Sequence, residues 1–369
     1  MPWTSPYPPR PTARMLGLTT GILPAGTHND ICDVPGVRVG HATLVEGAGP
    51  LVAGTGPVRT GVTAVLPHGG NLFAEKVPAA VFVLNGFGKS TGLAQVQELG
   101  LLETPVMLTN TLGVFRVADA VVSYMVEQNP EIGVTTGTVN PVVGECNDGY
   151  LSDIQGRHVR EGHVRAALSA AAGGPVQQGA VGAGTGTMCF GFKGGIGSSS
   201  RTVGDFVVGA LVQANFGRRS DLLVAGAPVG QQLLAYPGEE GPEPDAIPPG
   251  SIMIVLATNA PLDARQLGRL CKRGALGLAR TGASAGNGSG DFVIGFSTAY
   301  RVPHASAEET ATFTILRDDS AALDRLFLAA VEAVEESVLN ALFAARTVDG
   351  RDGHVGYALP VRRVLSWTM

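Results

Sequence analysis

Two kinds of hydrophobic pattern alternate along most of the chain. From residue 60 onwards, short apolar runs bounded by Gly or Pro predict strands buried on both faces, and segments with apolar residues every three or four positions predict helices. Helices that fall between groups of strands predict one α/β domain with the helices packed outside sheets. Residues 177–200 are rich in glycine and show no clean period. The predicted strands are 62–66, 81–84, 106–108, 206–214, 222–225, 251–259 and 291–298, and the predicted helices are 114–126, 163–172, 263–280 and 318–346.

One segment breaks this pattern. Residues 237–250 (PGEEGPEPDAIPPG) hold five Pro and four acidic residues in fourteen positions. Proline excludes such a segment from a helix interior or a central strand, and its composition is typical of a mobile linker. The run SIMIVLATN follows directly and is among the most hydrophobic of the chain. A solvated linker is therefore expected to end on a buried strand, with Ser251 at the boundary.

Composition and charge limit the classes of protein that are compatible with this sequence. Hydrophobic residues make up 44% of the 369 residues and charged residues 15%, which is ample for a large core. The net charge of −5 and the pI near 5.8 provide no basic surface for a nucleic acid. No apolar stretch approaches the ~18 residues that a membrane span requires. We therefore expect neither a nucleic acid nor a membrane as a partner.

Cysteine and histidine usage argues against a metal site. The seven His form no HExxH motif and no i, i+4 pair, and the four Cys lie far apart without a CxxC pair. Reduced thiols and a cytoplasmic location are expected. Residues 1–16 hold five Pro in the first eleven positions and no apolar core of a signal peptide, so an extended arm is predicted there.

The junction between Gly250 and Ser251 offers a specific chemistry. A serine after a glycine in a strained loop can attack its own preceding carbonyl, which shifts the acyl group from nitrogen to oxygen. Hydrolysis of that ester would leave Ser251 as a new N-terminus, whose α-amine has an unperturbed pKa of ~8. Such an amine can take the proton of the Ser251 hydroxyl, so that one residue supplies both nucleophile and base. The alternative is that Ser251 merely begins a strand after a loop.

Two glycine-rich motifs resemble nucleotide-binding loops but depart from them. Residues 86–91 (GFGKST) end like a Walker A motif, but Val83 stands where its first glycine belongs, so the backbone cradle for phosphate is missing. Residues 182–186 (GAGTG) have the spacing GxGxG rather than GxGxxG, and no clear helix follows. A nucleotide-binding protein is therefore disfavoured, and the glycines are expected to let backbone segments pack closely around a pocket.

Polar side chains occur at the ends of several predicted strands. Glu145 follows the apolar run NPVVG, and Asn215 ends VGALVQAN. Ser289 and Asp291 lie two apart at the start of DFVIGFST, so an extended backbone would put them on one face. Each of these four residues also fits a capping or turn role. Side chains at strand ends are nonetheless where α/β folds gather active sites.

Several blocks of the sequence resemble one family in order and without large gaps, from about residue 16 to 345. Together they are similar to the DmpA-type aminopeptidases, a family that includes the L-aminopeptidase/D-esterases and the β-peptidyl aminopeptidases. The blocks are GTHNDICDVPGVRVGHATL, VRTGVTAVLPHG, VLNGFGKSTG, VGAGTGTMCFGFKGGIGSSSR, VGALVQAN and GSIMIVLATNAPLDARQLGRLCKRGALGLARTG.

The resemblance implies a fold and a processing event. The expected fold is a four-layer αββα sandwich of the DmpA/ornithine acetyltransferase type, similar in layering to N-terminal nucleophile hydrolases, as a single domain over residues 1–369. The precursor is expected to cleave itself into an α subunit (residues 1–250) and a β subunit (residues 251–369). The resemblance also implies a tetramer of αβ heterodimers.

The resemblance assigns roles to individual residues. The nucleophile matches Ser251, the oxyanion-stabilising amide matches Asn215, and the pair that assists the nucleophile matches Ser289 and Asp291. The carboxylate that holds the free amino group of the substrate matches Glu145. Asn147 is assigned to substrate binding together with Glu145, although it stands where some relatives have a tyrosine of the active site. Lys89 stands where similar sequences often have an acidic residue.

The expected function is that of a self-processing serine aminopeptidase without metal or organic cofactor. It would release small L-amino acids, D-alanyl units or β-amino acids from short peptides, amides or esters with a free N-terminus, through an ester on Ser251. The sequence does not choose among these substrates. Two alternatives stay open: an acyltransferase of the ornithine acetyltransferase type, and a binding protein that keeps the fold without processing.

Overall fold

The computed structural model describes residues 10–234 and 250–368. The predicted linker 237–250 lies outside these residues except for Gly250, and so does the first part of the predicted N-terminal arm. Within that arm, Arg14–Leu16 form a turn of 3-10 helix rather than extended backbone. No described helix combines the length and the apolar character that a membrane span needs.

Apart from two-residue strands and 3-10 turns, the described residues form strands and helices in a mixed order along the chain. The strands are β1 (Arg38–Glu46), β2 (Val58–Leu66), β3 (Glu75–Gly86), β4 (Val106–Asn110), β5 (Val142–Cys146), β6 (Gly195–Val203), β7 (Phe206–Asn215), β8 (Ser251–Thr258) and β9 (Gly290–Ser297). The helices are α1 (Leu93–Leu99), α2 (Val114–Gln128), α3 (Glu161–Ser169), α4 (Val229–Leu234), α5 (Ala264–Ala279), α6 (Ala321–Ala344) and α7 (Val361–Thr368).

The longer strands build two sheets. The first sheet has the order β1-β2-β4-β5, in which only the pair β4–β5 is parallel. The second has the order β3-β9-β8-β7-β6, in which only β8–β9 is parallel. Short strands at 302–303 and 101–102 extend β3. Strand β8, which begins at Ser251, therefore lies in the middle of the larger sheet.

Side chains that alternate along the strands join four layers. Met253 and Val255 of β8 pack with Leu108 of β4 in the core between the sheets, whereas Ile252 and Ile254 face the outer helices α5 and α6. The outer face of the first sheet packs against α2 and α3 in a third cluster. Because β8 is buried on both faces, its sequence is a continuous apolar run. The expected αββα sandwich is confirmed.

Strand β6 was missed by the sequence pattern because it carries small polar residues. The Oγ of Ser198 donates to the carbonyl of Ala210 at 2.7 Å, and the Oγ of Ser199 donates to the carbonyl of Ala333 at 2.6 Å. A Cβ on Gly197 would overlap the carbonyl of Ser337 on α6. The strand is polar and glycine-rich because α6 lies directly on its backbone. Strand β1, ahead of residue 60, was also not predicted.

Two other predictions differ from the structure. Residues 222–225 do not form a strand: Ala225 and Gly226 adopt positive φ in a tight turn, so Leu222 and Val224 enter the core without a strand partner beyond one isolated bridge. The helix predicted over 163–172 is α3, which begins two residues earlier and ends at Ser169. Apolar periodicity locates such segments better than it locates their ends.

A buried ion cluster ties the N-terminal segment to the helical layer. The guanidinium of Arg201 on β6 is fully buried and contacts Glu332 at 3.1 Å and Glu336 at 2.6 Å on α6. Arg14 contacts Glu336 at 2.8 Å from the other side. Each buried charge therefore has an opposite charge beside it, which a buried ion requires.

Candidate active site

Ser251 lies where three strands of the larger sheet meet. It is the first residue of β8, directly opposite Asn215 at the end of antiparallel β7 and beside Gly290 at the start of parallel β9. Ser251 and Asn215 are both buried, with 6% and 8% of their surface exposed. Because directly paired residues in a sheet point to the same side, the Ser251 hydroxyl and the Asn215 amide are neighbours.

A backbone contact settles the orientation of the Asn215 amide. Its Oδ1 accepts a hydrogen bond from the N–H of Met188 at 2.9 Å. Only the oxygen of an amide can accept from an N–H group, so the NH₂ group of Asn215 lies at the other end of the amide plane. That group is left as a donor beside Ser251.

Ser289 and Asp291 are in contact on the other side of Ser251. The Ser289 Oγ donates to Asp291 Oδ1 at 2.6 Å. Burial raises the pKa of Asp291, although hydrogen bonds from Ser289 and from the backbone of Ile252 oppose that rise. Its Oδ2 is buried and finds no hydrogen-bond partner among the described residues. The pair therefore has an acceptor left over for a further donor.

The turn before Ser289 is held by a residue that sequence patterns did not reveal. The side-chain amide of Asn85 on β3 donates to the carbonyls of Gly286 at 3.0 Å and Asn287 at 3.2 Å, and also to that of Ser289. Asn85 pairs with Asp291 across the sheet. Its role depends on a contact two hundred residues away along the chain, so no local signal points to it.

Glu145 approaches from the first sheet. It is 3% exposed on β5, and its Oε1 accepts from the N–H of Lys89 at 2.9 Å. The hydroxyl of Thr111, a residue not predicted, donates to Oε2. The Lys89 ammonium is directed elsewhere, to the carbonyl and the ring of Phe87. Both donors to Glu145 are neutral, so its negative charge remains for a cationic ligand.

Cys146 connects Glu145 with Ser251. Its Sγ donates to the carbonyls of Gln213 at 3.2 Å and Ser251 at 3.4 Å. Burial raises the pKa of this thiol well above its usual range, and the carboxylates of Glu145 and Asp291 raise it further. Glu145 directly precedes Cys146 in β5, and the contact of the thiol with the Ser251 carbonyl places the end of β5 against the start of β8.

Asn147 lies at the edge of this arrangement. Its side chain is exposed just past β5, and its Oδ1 accepts from the N–H of Gly149 at 2.8 Å, which closes a short turn. No contact in the described residues joins it to Ser251. Its role in substrate binding stays a prediction.

A cavity of about 900 Å³ opens beside the predicted cleavage junction. Its lining includes Gly250, Ser289 and Asp291, with Phe216 and Phe87 as apolar walls. A Cβ on Gly250 would overlap the carbonyl oxygen of Asn215. The described residues contain no cluster of His, Cys, Asp and Glu that could hold a metal ion.

The two glycine-rich motifs have structural roles. Gly182–Gly184 form a 3-10 turn, and a Cβ on Gly184 or Gly186 would overlap the backbone of Ile196 or Arg59. The predicted close backbone packing is confirmed there. In the loop 86–91, a Cβ on Gly88 would overlap the ring of Phe292, so this loop lies against the start of β9.

The chain has four αββα layers, with buried hydroxyl, amide and carboxyl groups at one end of a central strand. This architecture is that of the N-terminal nucleophile hydrolase folds. The chain belongs to peptidase family S58, whose model matches residues 29–356. It is therefore a hydrolase of the peptidase type.

Three proteins illustrate how similar its relatives are. The β-peptidyl aminopeptidase BapA of Sphingosinicella microcystinivorans is 42% identical over 363 residues, which cover 95% of this chain and 90% of that protein. The PH0078 protein of Pyrococcus horikoshii OT3 has a TM-score of 0.91 at 51% identity, over 97% of this chain and 98% of that one. The L-aminopeptidase D-Ala-esterase/amidase of Ochrobactrum anthropi, described as a prototype for the serine aminopeptidases and a new variant among the Ntn hydrolase fold, has a TM-score of 0.88 at 40% identity, over 97% and 98%.

Proposed function

We propose that this protein is an aminopeptidase that cleaves itself between Gly250 and Ser251 and then uses Ser251 as its N-terminal nucleophile. The products of self-cleavage are residues 1–250 and 251–369. The processed enzyme releases N-terminal residues from short peptides, amides or esters. The names of its relatives, a β-peptidyl aminopeptidase and an L-aminopeptidase D-Ala-esterase/amidase, support small L-, D-alanyl or β-aminoacyl groups as the residue released.

The observation that carries this proposal is the pairing of Ser251 with Asn215 at the start of β8. Ser251 also pairs with Gly290, whose chain neighbours Ser289 and Asp291 form a buried hydrogen-bonded pair. Gly250 lines the same cavity as Ser289 and Asp291, so groups that would assist attack on a substrate carbonyl also lie near the junction.

In the processed enzyme, the α-amine of Ser251 takes the proton of its own hydroxyl as Oγ attacks the carbonyl carbon of the substrate. The NH₂ group of Asn215 donates to the oxygen that becomes negative, which is the kind of contact that contributes most in acyl transfer. The proton then passes to the leaving amine as the C–N bond breaks. Water attacks the resulting ester of Ser251 and releases the amino acid.

Glu145 selects the end of the substrate. Its buried carboxylate accepts only neutral hydrogen bonds in the described residues, so an ammonium group of the substrate completes its charge balance. A substrate whose amino group is blocked has no cation to offer. Binding at Glu145 thus restricts cleavage to the first residue of a peptide.

Substitution of Ser251 tests the proposal. The wild-type protein should give two polypeptides on a denaturing gel, the smaller beginning at Ser251 by N-terminal sequencing, and should hydrolyse aminoacyl amides. Ser251→Ala should give a single inactive chain, whereas Ser284→Ala, a serine in the cavity lining, should be processed and active. A fully active protein that remains one unbroken polypeptide would refute the proposal.

A further inference from the structure

A fully buried lysine lies behind the Asn215 amide. Lys193 belongs to a short hairpin in which Met188 pairs with Lys193 and Cys189 with Phe192. Its side chain has no exposed surface. Gly356 packs against the aliphatic stem, and the backbone N–H of Lys193 donates to the carbonyl of Tyr357 at 2.7 Å. The amine is therefore held at a defined position inside the protein.

Three carbonyl groups surround the nitrogen of Lys193. Its Nζ donates to the carbonyls of Gly184 at 2.9 Å, Thr187 at 2.7 Å and Gly194 at 2.9 Å. An ammonium group has three N–H donors and no acceptor, so the three carbonyls match its charged form. Burial lowers the pKa of this amine to about 7, against the opposing influence of Cys189 and Asp148. The three carbonyl acceptors fit the ammonium form, and no carboxylate of the described residues is hydrogen-bonded to it.

One peptide group links this cation to Asn215. The carbonyl of Thr187 accepts from Lys193 Nζ, and the N–H of the same peptide, that of Met188, donates to Asn215 Oδ1 at 2.9 Å. The order of groups is ammonium, peptide carbonyl, peptide N–H, Asn215 Oδ1 and Asn215 NH₂. Hydrogen bonds in such a chain polarise one another.

We propose that Lys193 is a positioning and polarising residue for the oxyanion-binding amide of Asn215, acting through the peptide between Thr187 and Met188. The cation withdraws electron density from the Thr187 carbonyl, which makes the Met188 N–H a stronger donor. That donor in turn draws density from Asn215 Oδ1, so the NH₂ group of Asn215 becomes a stronger donor to the negative oxygen of the transition state. The inference rests on the proposed role of Asn215.

The proposal predicts an effect on turnover rather than on binding. The substrate carbonyl carries little charge before attack, and the oxygen is negative only in the transition state, so the polarised amide acts mainly there. A lysine that only filled space would be equally served by an uncharged side chain of the same length. The two roles therefore separate when charge and volume are changed independently.

The experiment is a double-mutant cycle on processed enzyme, with its concentration taken from the cleaved fraction on a gel. Lys193→Met should lower kcat on a small aminoacyl p-nitroanilide by ~10-fold, a fraction of what a whole oxyanion donor contributes, and should leave KM within ~2-fold. Lys193→Arg, which keeps the charge, should retain kcat within ~3-fold. In the Asn215→Ala background, Lys193→Met should change kcat by less than ~2-fold, because residues that act through each other are not additive.

Cys189→Ala is the matched control, since Cys189 is a buried residue of the same hairpin, and it should keep its kcat. Should Lys193→Met not fold, as judged by circular dichroism, Lys193→Gln replaces it as a neutral donor and should again fall below Lys193→Arg in kcat. Full kcat in either neutral variant, or a Lys193→Met effect that is unchanged without the Asn215 amide, would overturn the inference. An Asn215→Ala enzyme with normal kcat would instead remove the proposed role of Asn215 itself.

Discussion

Asn215 and Ser251 lie directly opposite each other, as the last residue of β7 and the first residue of β8 in an antiparallel pair. Thirty-five positions separate them along the chain, and fifteen of those are the residues 235–249 outside the described structure. The segment that joins β7 to β8 therefore begins and ends at the same end of this strand pair. The bond proposed to break is the one that joins this segment to β8.

The fit of Gly250 against Asn215 leads to a prediction about self-cleavage. A Cβ at residue 250 would overlap the Asn215 carbonyl oxygen, so Gly250→Ala must displace the peptide bond ahead of Ser251. A displacement near 1 Å can slow a positioned reaction by ~100-fold. We expect the uncut chain to accumulate in a time course on a denaturing gel, whereas kcat per cleaved molecule stays unchanged. Gly286→Ala, where a Cβ meets nothing within 4 Å, should be cut at the wild-type rate.

Removal of the Asn215 side chain should reduce turnover. If its NH₂ group stabilises the oxyanion, Asn215→Ala should lower kcat by ~100-fold or more, measured on the fraction of enzyme that has been cleaved. Asn259 provides a control just past the opposite end of β8, because its Oδ1 also accepts a backbone N–H, that of Val207 at 2.7 Å. Asn259→Ala should leave kcat intact. A loss below threefold in Asn215→Ala would exclude the oxyanion role.

Glu145→Gln should weaken recognition of the substrate ammonium. A charged hydrogen bond contributes about 1.5–3 kcal/mol, so kcat/KM on a free aminoacyl amide should fall by roughly ten- to a hundredfold. The comparison variant is Glu103→Gln, a buried glutamate that instead pairs with Lys76, and it should keep normal kcat/KM. Unchanged activity of Glu145→Gln on substrates with a free amino group would contradict the anchoring role.

The ion cluster predicts how stability depends on pH. Burial acts to raise the pKa of Glu336, but the hydrogen bond from Arg14 and the charge of Arg201 outweigh it, and the pKa is lowered overall. A group whose pKa is lower in the folded state stabilises the fold above its unfolded pKa of ~4.3 and loses that contribution as the pH falls further.

Urea denaturation of the uncut Ser251→Ala chain would measure this effect. Glu336→Gln should lower the free energy of unfolding at pH 7 by about 3–5 kcal/mol, since it leaves Arg201 with less compensation, and the loss should shrink below pH ~4. Glu127→Gln removes an exposed partner of Arg165 and should leave the midpoint unchanged. A Glu336→Gln loss that is the same at pH 7 and at about pH 3 would contradict the assigned pKa shift.

The amino-acid sequence alone determined the local features of this protein, namely the strand that begins at Ser251 and the polar residues at strand ends. The apolar run 251–259 predicts a strand buried on both faces, and the proline-rich segment before it predicts where that strand begins. Polar residues at the ends of such runs identified Glu145, Asn215, Ser289 and Asp291 as candidates. These signals are local because a strand buried on both faces needs uninterrupted apolar residues.

Strand pairing in the tertiary structure decided which of these residues meet. Neither the neighbours of Ser251 in the sheet nor the Asn85 and Thr111 contacts follow from a pattern, because hydrogen bonds between strands join residues far apart in sequence. Strand β6 was not predicted because its small polar residues follow no apolar period. They are small because the backbone of α6, distant in sequence, packs directly against them. The cation of Lys193 beneath Asn215 likewise exists only once the hairpin is folded onto β7.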